Sequence, residues 1–132
     1  MIMKTKTILD QTKKYLQDCK YTEALNALNQ LDLTQLKPFE KGEYNLLKGE
    51  CLLFLGNYEH NHLDEAIRIF RNSSKHHYFA KAKYLHGWKL QSTGNFSLAK
   101  ETLIESYVTF LRVGDNTWIK RALNRSEEHT SE

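Results

Sequence analysis

Apolar residues recur at intervals of three and four along most of the chain. Ile8, Leu9, Thr12, Tyr15 and Leu16 make one stripe; Ala24, Leu25, Leu28 and Leu31 make the next. Pro38 then suits the first turn of a helix, where its missing N–H is harmless. Tyr44, Leu47, Cys51, Leu52 and Leu55 follow and end at Gly56, and Ala66, Ile67, Ile69 and Phe70 form a shorter stripe. Tyr84, Leu85, Trp88 and Leu90 are closed by Gly94; Leu98, Ala99, Leu103, Ser106, Tyr107 and Phe110 are closed by Gly114. No segment alternates with period two for long enough to be a strand. The pattern predicts an all-α chain with helices of roughly 10–17 residues.

Two stretches repeat each other. In the first, Gly49 and Gly56 are followed by Asn57, Tyr58, Ala66 and Phe70. In the second, Gly87 and Gly94 are followed by Asn95, Phe96, Ala99 and Leu103. A weaker copy opens the chain, with Tyr15, Tyr21, Ala24 and Leu28, and with Thr12 and Cys19 where the others have glycine. A fourth begins at Gly114 and has Trp118 and Ala122. This pattern resembles the tetratricopeptide repeat. There, small residues let paired helices approach, glycine ends the first helix in a left-handed conformation, and an aromatic fills the wedge between helices. The Ala24, Ala66 and Ala99 spacings are 42 and 33, against a family period of about 34. Residues 59–63 look inserted, and the 32–37 connection is long.

The resemblance implies an α-solenoid of antiparallel helix pairs in one domain over residues 1–124. Its repeats fall near 5–37, 38–75 and 76–113, with a partial fourth at 114–124. Stacked repeats bury their apolar faces on one another, so three suffice for stability. The family's first helices line a concave groove. Counted from Gly87, that face holds Lys81, Tyr84, Trp88 and Gln91; counted from Gly49, it holds Glu43, Leu46, Glu50 and Leu53. Lys6, Leu9, Lys13 and Leu16 correspond in the first repeat. The expected partner-binding residues are Lys13, Glu43, Leu46, Glu50, Lys81, Tyr84, Trp88 and Gln91, although Trp88 could instead pack inside. Trp and Tyr favour binding hot spots. One subfamily grips C-terminal carboxylates with Lys and Asn four apart. Leu9/Lys13, Leu46/Glu50 and Tyr84/Trp88 stand at those positions, so that clamp is absent.

Residues 125–132 break the pattern. Arg-Ser-Glu-Glu-His-Thr-Ser-Glu is the translation of a widely used sequencing-adapter oligonucleotide. The segment is therefore expected to be non-native, and residues 1–124 to be the N-terminal part of a larger scaffold or signalling protein. Without it the net charge rises from +3 to +5. Such a mild excess lacks the clustered basicity typical of nucleic-acid binders. One proline and six glycines argue against a turn-rich β fold. Cys19 and Cys51 fit no CxxC pattern; a reducing, cytoplasmic setting is expected. No apolar run is long enough for a membrane span or signal peptide.

Candidate chemistry is thin. His60 and His62 stand two apart, His76 and His77 are adjacent, and His86 follows. Imidazoles can bind metal, but no acidic or Cys ligand completes a set. His60, His62, His76 and His77 are read as solvated loop residues, and no metal or cofactor is expected. There is no P-loop Lys, GxGxxG or GxSxG, so no enzymatic activity is expected. Residues 75–84, from Lys75 to Tyr84, interleave basic and aromatic side chains. Such a stretch could bind RNA or DNA by charge and stacking. The favoured reading is a protein-interaction module holding a peptide or partner protein, with an acidic one suiting these charges.

Overall fold

The computed structural model describes residues 4–127. Among them are seven α-helices and no strand: α1 (Thr5–Gln17), α2 (Tyr21–Leu28), α3 (Pro38–Phe54), α4 (His62–Phe70), α5 (His76–Ser92), α6 (Phe96–Val113) and α7 (Asn116–Glu127). The all-α fold is the one expected. None of these helices is long and apolar enough to cross a membrane. The chain divides into two compact units, with the boundary between Ile69 and Phe70.

In the N-terminal unit, α1 packs on α2, and α3 packs on both. Ile8, Leu9, Ala24, Leu28, Leu31, Leu36, Tyr44, Leu47 and Cys51 form its core, with Tyr15, Leu16 and Leu25 against it. The long connection between α2 and α3 is anchored at both ends. Asp32 accepts from the Thr34 amide at 3.0 Å and its hydroxyl at 2.6 Å. Pro38 opens α3 as expected, and the Lys37 amide donates to Glu40 at 2.9 Å. A Cβ on Gly49 would lie 2.5 Å from Leu63 Cδ2, so that glycine is what allows α3 and α4 to touch. His62 lies inside α4 rather than in a loop, and its Nδ1 pairs with Asn45 Oδ1 at 2.9 Å.

In the C-terminal unit, α6 packs on both α5 and α7. Gly87 repeats the device, since a Cβ there would lie 2.6 Å from Leu103 Cγ. The Ser106 hydroxyl donates to the Ala80 carbonyl at 2.8 Å, in a fully buried position. Leu98 is exposed, unlike its stripe neighbours Ala99 and Leu103. Ile104, Val108 and Leu111 also lie exposed along the outer side of α6. Asp115 starts α7 by accepting from the Trp118 amide at 3.1 Å. α7 runs on into the segment expected to be non-native, as far as Glu127; residues 128–132 of that segment lie outside the described residues.

The helix ends repeat more faithfully than the side chains do. Gly56, Gly94 and Gly114 have φ of 79°, 85° and 76°, and Cys19 has 57°. After each, an amide reaches back five residues: Lys20 to Tyr15, Asn57 to Leu52, Asn95 to Leu90 and Asp115 to Phe110. This is the Schellman arrangement, which satisfies carbonyls the helix leaves open. Cys19 thus occupies the glycine position with a side chain that disfavours it. Cys19→Gly is expected to raise stability by about 0.5–1 kcal/mol. Urea denaturation of the variant checks the sign; a lower midpoint would contradict it.

The two cysteines differ sharply. Cys51 is fully buried and Cys19 is exposed. Burial, with a smaller contribution from Glu50, pushes the Cys51 thiol from the ordinary 9.0 up to about 12. Folding therefore favours the neutral thiol. Its contribution to stability is intact below pH 9.0 and is lost as pH rises towards about 12. At neutral pH an aromatic disulfide reagent is expected to titrate one thiol at once and the second only as fast as the chain unfolds. Prompt reaction of both would contradict this placement.

Candidate interaction faces

The expected groove residues divide between the two units. In the N-terminal unit, Lys13 Nζ donates to Glu43 Oε2 at 2.7 Å, joining α1 to α3. Glu43 is buried, while the Lys13 side chain is 39 % exposed. Their pairing leaves a buried carboxylate satisfied. A cavity of about 310 Å³ opens beside the pair, lined by Lys6, Asp10, Lys13, Lys37, Glu40 and Glu43, with Leu9 and Phe39 as its apolar part. This is the α1 face counted from Thr12, now joined by the first turns of α3. Its charges are mixed in sign. Leu46 is buried and Glu50 half-buried. A second cavity of about 360 Å³ lies between α1 and α2, lined by Gln11, Tyr15, Glu23 and Asn26 among others, away from these residues.

In the C-terminal unit, α7 lies against the expected face of α5. Trp118 sets its ring edge-on to Tyr84 at 5.3 Å, and Tyr84 meets Trp88 edge-on at 6.0 Å. Tyr84 is buried, as is Gln91, whose Nε2 donates to the Arg125 carbonyl at 2.7 Å. That acceptor is main chain, so any residue at 125 would provide it. Lys81 and Trp88 are half-buried. The Lys81 ammonium sits 5.7 Å from the Trp118 ring centre, and the Arg121 guanidinium 4.9 Å. The Arg125 guanidinium lies 3.7 Å from the centre of Trp88. Trp88 is therefore neither an open groove residue nor a sealed core one. Cation and ring together form the surface.

Trp118 and Arg121 were not among the expected residues. Counting from Ala122 by the same rule points to Asn116, Ile119, Leu123 and Ser126 instead. The sequence signal they did carry was an aromatic and a cation three apart on α7, adjacent to α5 only once the helices pack. Phe110 completes the cluster, stacked on Trp118 at 5.4 Å with planes 19° apart. His77 lies edge-on to Phe110 at 5.6 Å, and its Nε2 pairs with Asp115 Oδ2 at 3.1 Å. Rather than standing in a loop, His76 and His77 open α5, and His77 makes a link between α5 and the start of α7.

The His60 and His62 rings are 5.5 Å apart. Among the described residues, no three His, Cys, Asp or Glu come together as a group able to hold a metal ion. In comparisons with known proteins, no family model, curated protein or solved structure matches this chain.

Proposed function

We propose that the chain is a helical-repeat interaction module of the tetratricopeptide type, which acts by holding a peptide or partner protein and not by catalysis. The observation that carries this reading is the recurrence of one local design. Thr12, Gly49 and Gly87 stand in the middle of successive first helices, and Cys19, Gly56 and Gly94 follow each by seven residues in a left-handed conformation. Both central glycines meet a bulky residue of the following helix, Leu63 or Leu103. Repeats of this kind leave first-helix side chains at the surface. Here the α1/α3 cavity and the α5/α7 cation–aromatic face carry those side chains.

Affinity capture with the full chain tests the reading. A specific protein should be retained by the wild type and lost when Lys13→Glu, Lys81→Glu and Trp88→Ala are combined. Circular dichroism would confirm that the variant keeps its helices. Capture that survives all three changes would refute the assignment to these faces. Retention of RNA or DNA, lost steeply with added salt, would favour the nucleic-acid reading of residues 75–84 instead.

A further inference from the structure

A surface helix ordinarily turns one apolar side to the core and a polar side to water. α6 has two apolar sides. Ala99, Thr102, Leu103, Ser106, Thr109 and Phe110 are buried and make the inner one. Ile104, Tyr107, Val108 and Leu111 make the outer one. Their spacing of three, four and seven residues sets them in one line along two turns, on the side away from the buried set. Ile104, Val108 and Leu111 are 45 %, 38 % and 48 % exposed, and Tyr107 is half-buried. Side chains at this spacing form the seam through which one helix pairs with another.

The charges beside the stripe select its occupant. Glu101 and Arg112 are both exposed. They stand eleven residues apart, about three helical turns, and so lie on the same flank. Glu101 precedes the stripe and Arg112 follows it. Glu105, between them, is engaged by Lys83 of α5 at 2.8 Å. The midpoint of Glu101 and Arg112 falls within one residue of the midpoint of Ile104 and Leu111. A two-fold axis across α6 at that point sets a second copy antiparallel and brings the same flank of each helix together. Ile104 of one copy then meets Leu111 of the other, and Glu101 of each faces Arg112 of the other. A parallel pair would bring opposite flanks together and leave Glu101 and Arg112 roughly 16 Å apart along the axis. A partner helix of single sign would meet a like charge at one end of the stripe. Only a surface with both signs in reversed order matches it, and a second copy provides that surface.

We propose that the outer stripe of α6 is the contact surface of an antiparallel homodimer, closed at each end by a Glu101–Arg112 ion pair. This goes beyond the interaction-module reading and does not depend on it. Two turns from each copy make a small interface, so the dimer should be weak and depend on concentration.

Sedimentation velocity on the full chain, from about 10 μM to about 500 μM, tests this. The wild type should shift from monomer towards dimer. Val108→Glu should abolish the shift while circular dichroism stays unchanged. Leu98→Glu, exposed on α6 but off the stripe, should leave the shift intact. Glu101→Arg or Arg112→Glu alone should weaken association by roughly threefold or more. The two combined should restore it, because the flank regains both signs. Orientation is read by cross-linking in a Cys19→Ser background, with Cys51 buried. Glu101→Cys and Arg112→Cys chains, mixed with a short bismaleimide, should link to each other in preference to linking each to itself. A chain that stays monomeric throughout would overturn the proposal. So would a dimer indifferent to Val108→Glu, a charge swap that fails to restore association, or cysteine variants that link to themselves as readily.

Discussion

Replacing Phe110 with alanine is expected to lower the unfolding free energy by about 3–5 kcal/mol. Phe110 is fully buried near the C-terminal end of α6. Its ring stacks on Trp118 of α7 and meets His77 of α5 edge-on, so one side chain ties three helices together. Truncation removes its burial and its ring contacts and leaves a cavity between helices that meet at that point. The loss is a large part of the roughly 5–15 kcal/mol that holds a domain folded. Urea denaturation followed by circular dichroism reads the effect. Phe110→Leu, which keeps most of the volume, should lose about 1 kcal/mol. If both variants fell by equally little, Phe110 could not be the centre of this cluster.

Gly87→Ala should also destabilise, although alanine is the better helix former by about 1 kcal/mol. The new Cβ would lie 2.6 Å from Leu103 Cγ and 2.7 Å from its Cδ2. Leu103 is fully buried and its branch point cannot swing away, so α5 and α6 must move apart. Overpacking of this kind costs about 1–3 kcal/mol, and after the gain in helix propensity the net loss should be up to about 2 kcal/mol. A double-mutant cycle isolates the cause. Leu103→Ala alone should cost about 2–5 kcal/mol. In that background, Gly87→Ala should become neutral or stabilising, because the clash has gone and the propensity gain remains. An unchanged cost there would mean that the glycine is needed for something other than this contact. Gly94→Ala offers a contrast. Nothing lies within 4 Å of its Cβ position, yet its φ of +85° makes any side chain strained.

The helices and their ends were legible in the sequence because the forces that set them are local. Apolar spacing marked each helix, Pro38 its start, and Gly56, Gly94 and Gly114 the left-handed ends. Even the departure at Cys19 was visible as a missing glycine, and the backbone there adopts the glycine's conformation regardless. The close contacts of Gly49 and Gly87 were legible for a related reason, since a helix crossing that tight leaves room only for hydrogen. The candidate faces were legible in part. Lys13 and Glu43 could be placed on one face by counting, but their ion pair required α1 and α3 to meet.

Tertiary packing decided which side of α5 stays accessible. Its buried residues, Ala80, Ala82, Tyr84, Leu85, Gly87 and Gln91, spread around the helix, so periodicity could not single out one covered face. The arrival of α7 settled the matter: Trp118 packs on Tyr84, the backbone carbonyl of Arg125 accepts from Gln91 Nε2, and Lys81 and Arg121 come together over one ring. These residues are separated by up to forty-four positions along the chain, and no local pattern links them. The sequence by itself determined the helices, their ends and the all-α class, because neighbouring residues set backbone conformation. The cation–aromatic face exists only after folding, because it is made of side chains that the chain brings together by packing one helix against another.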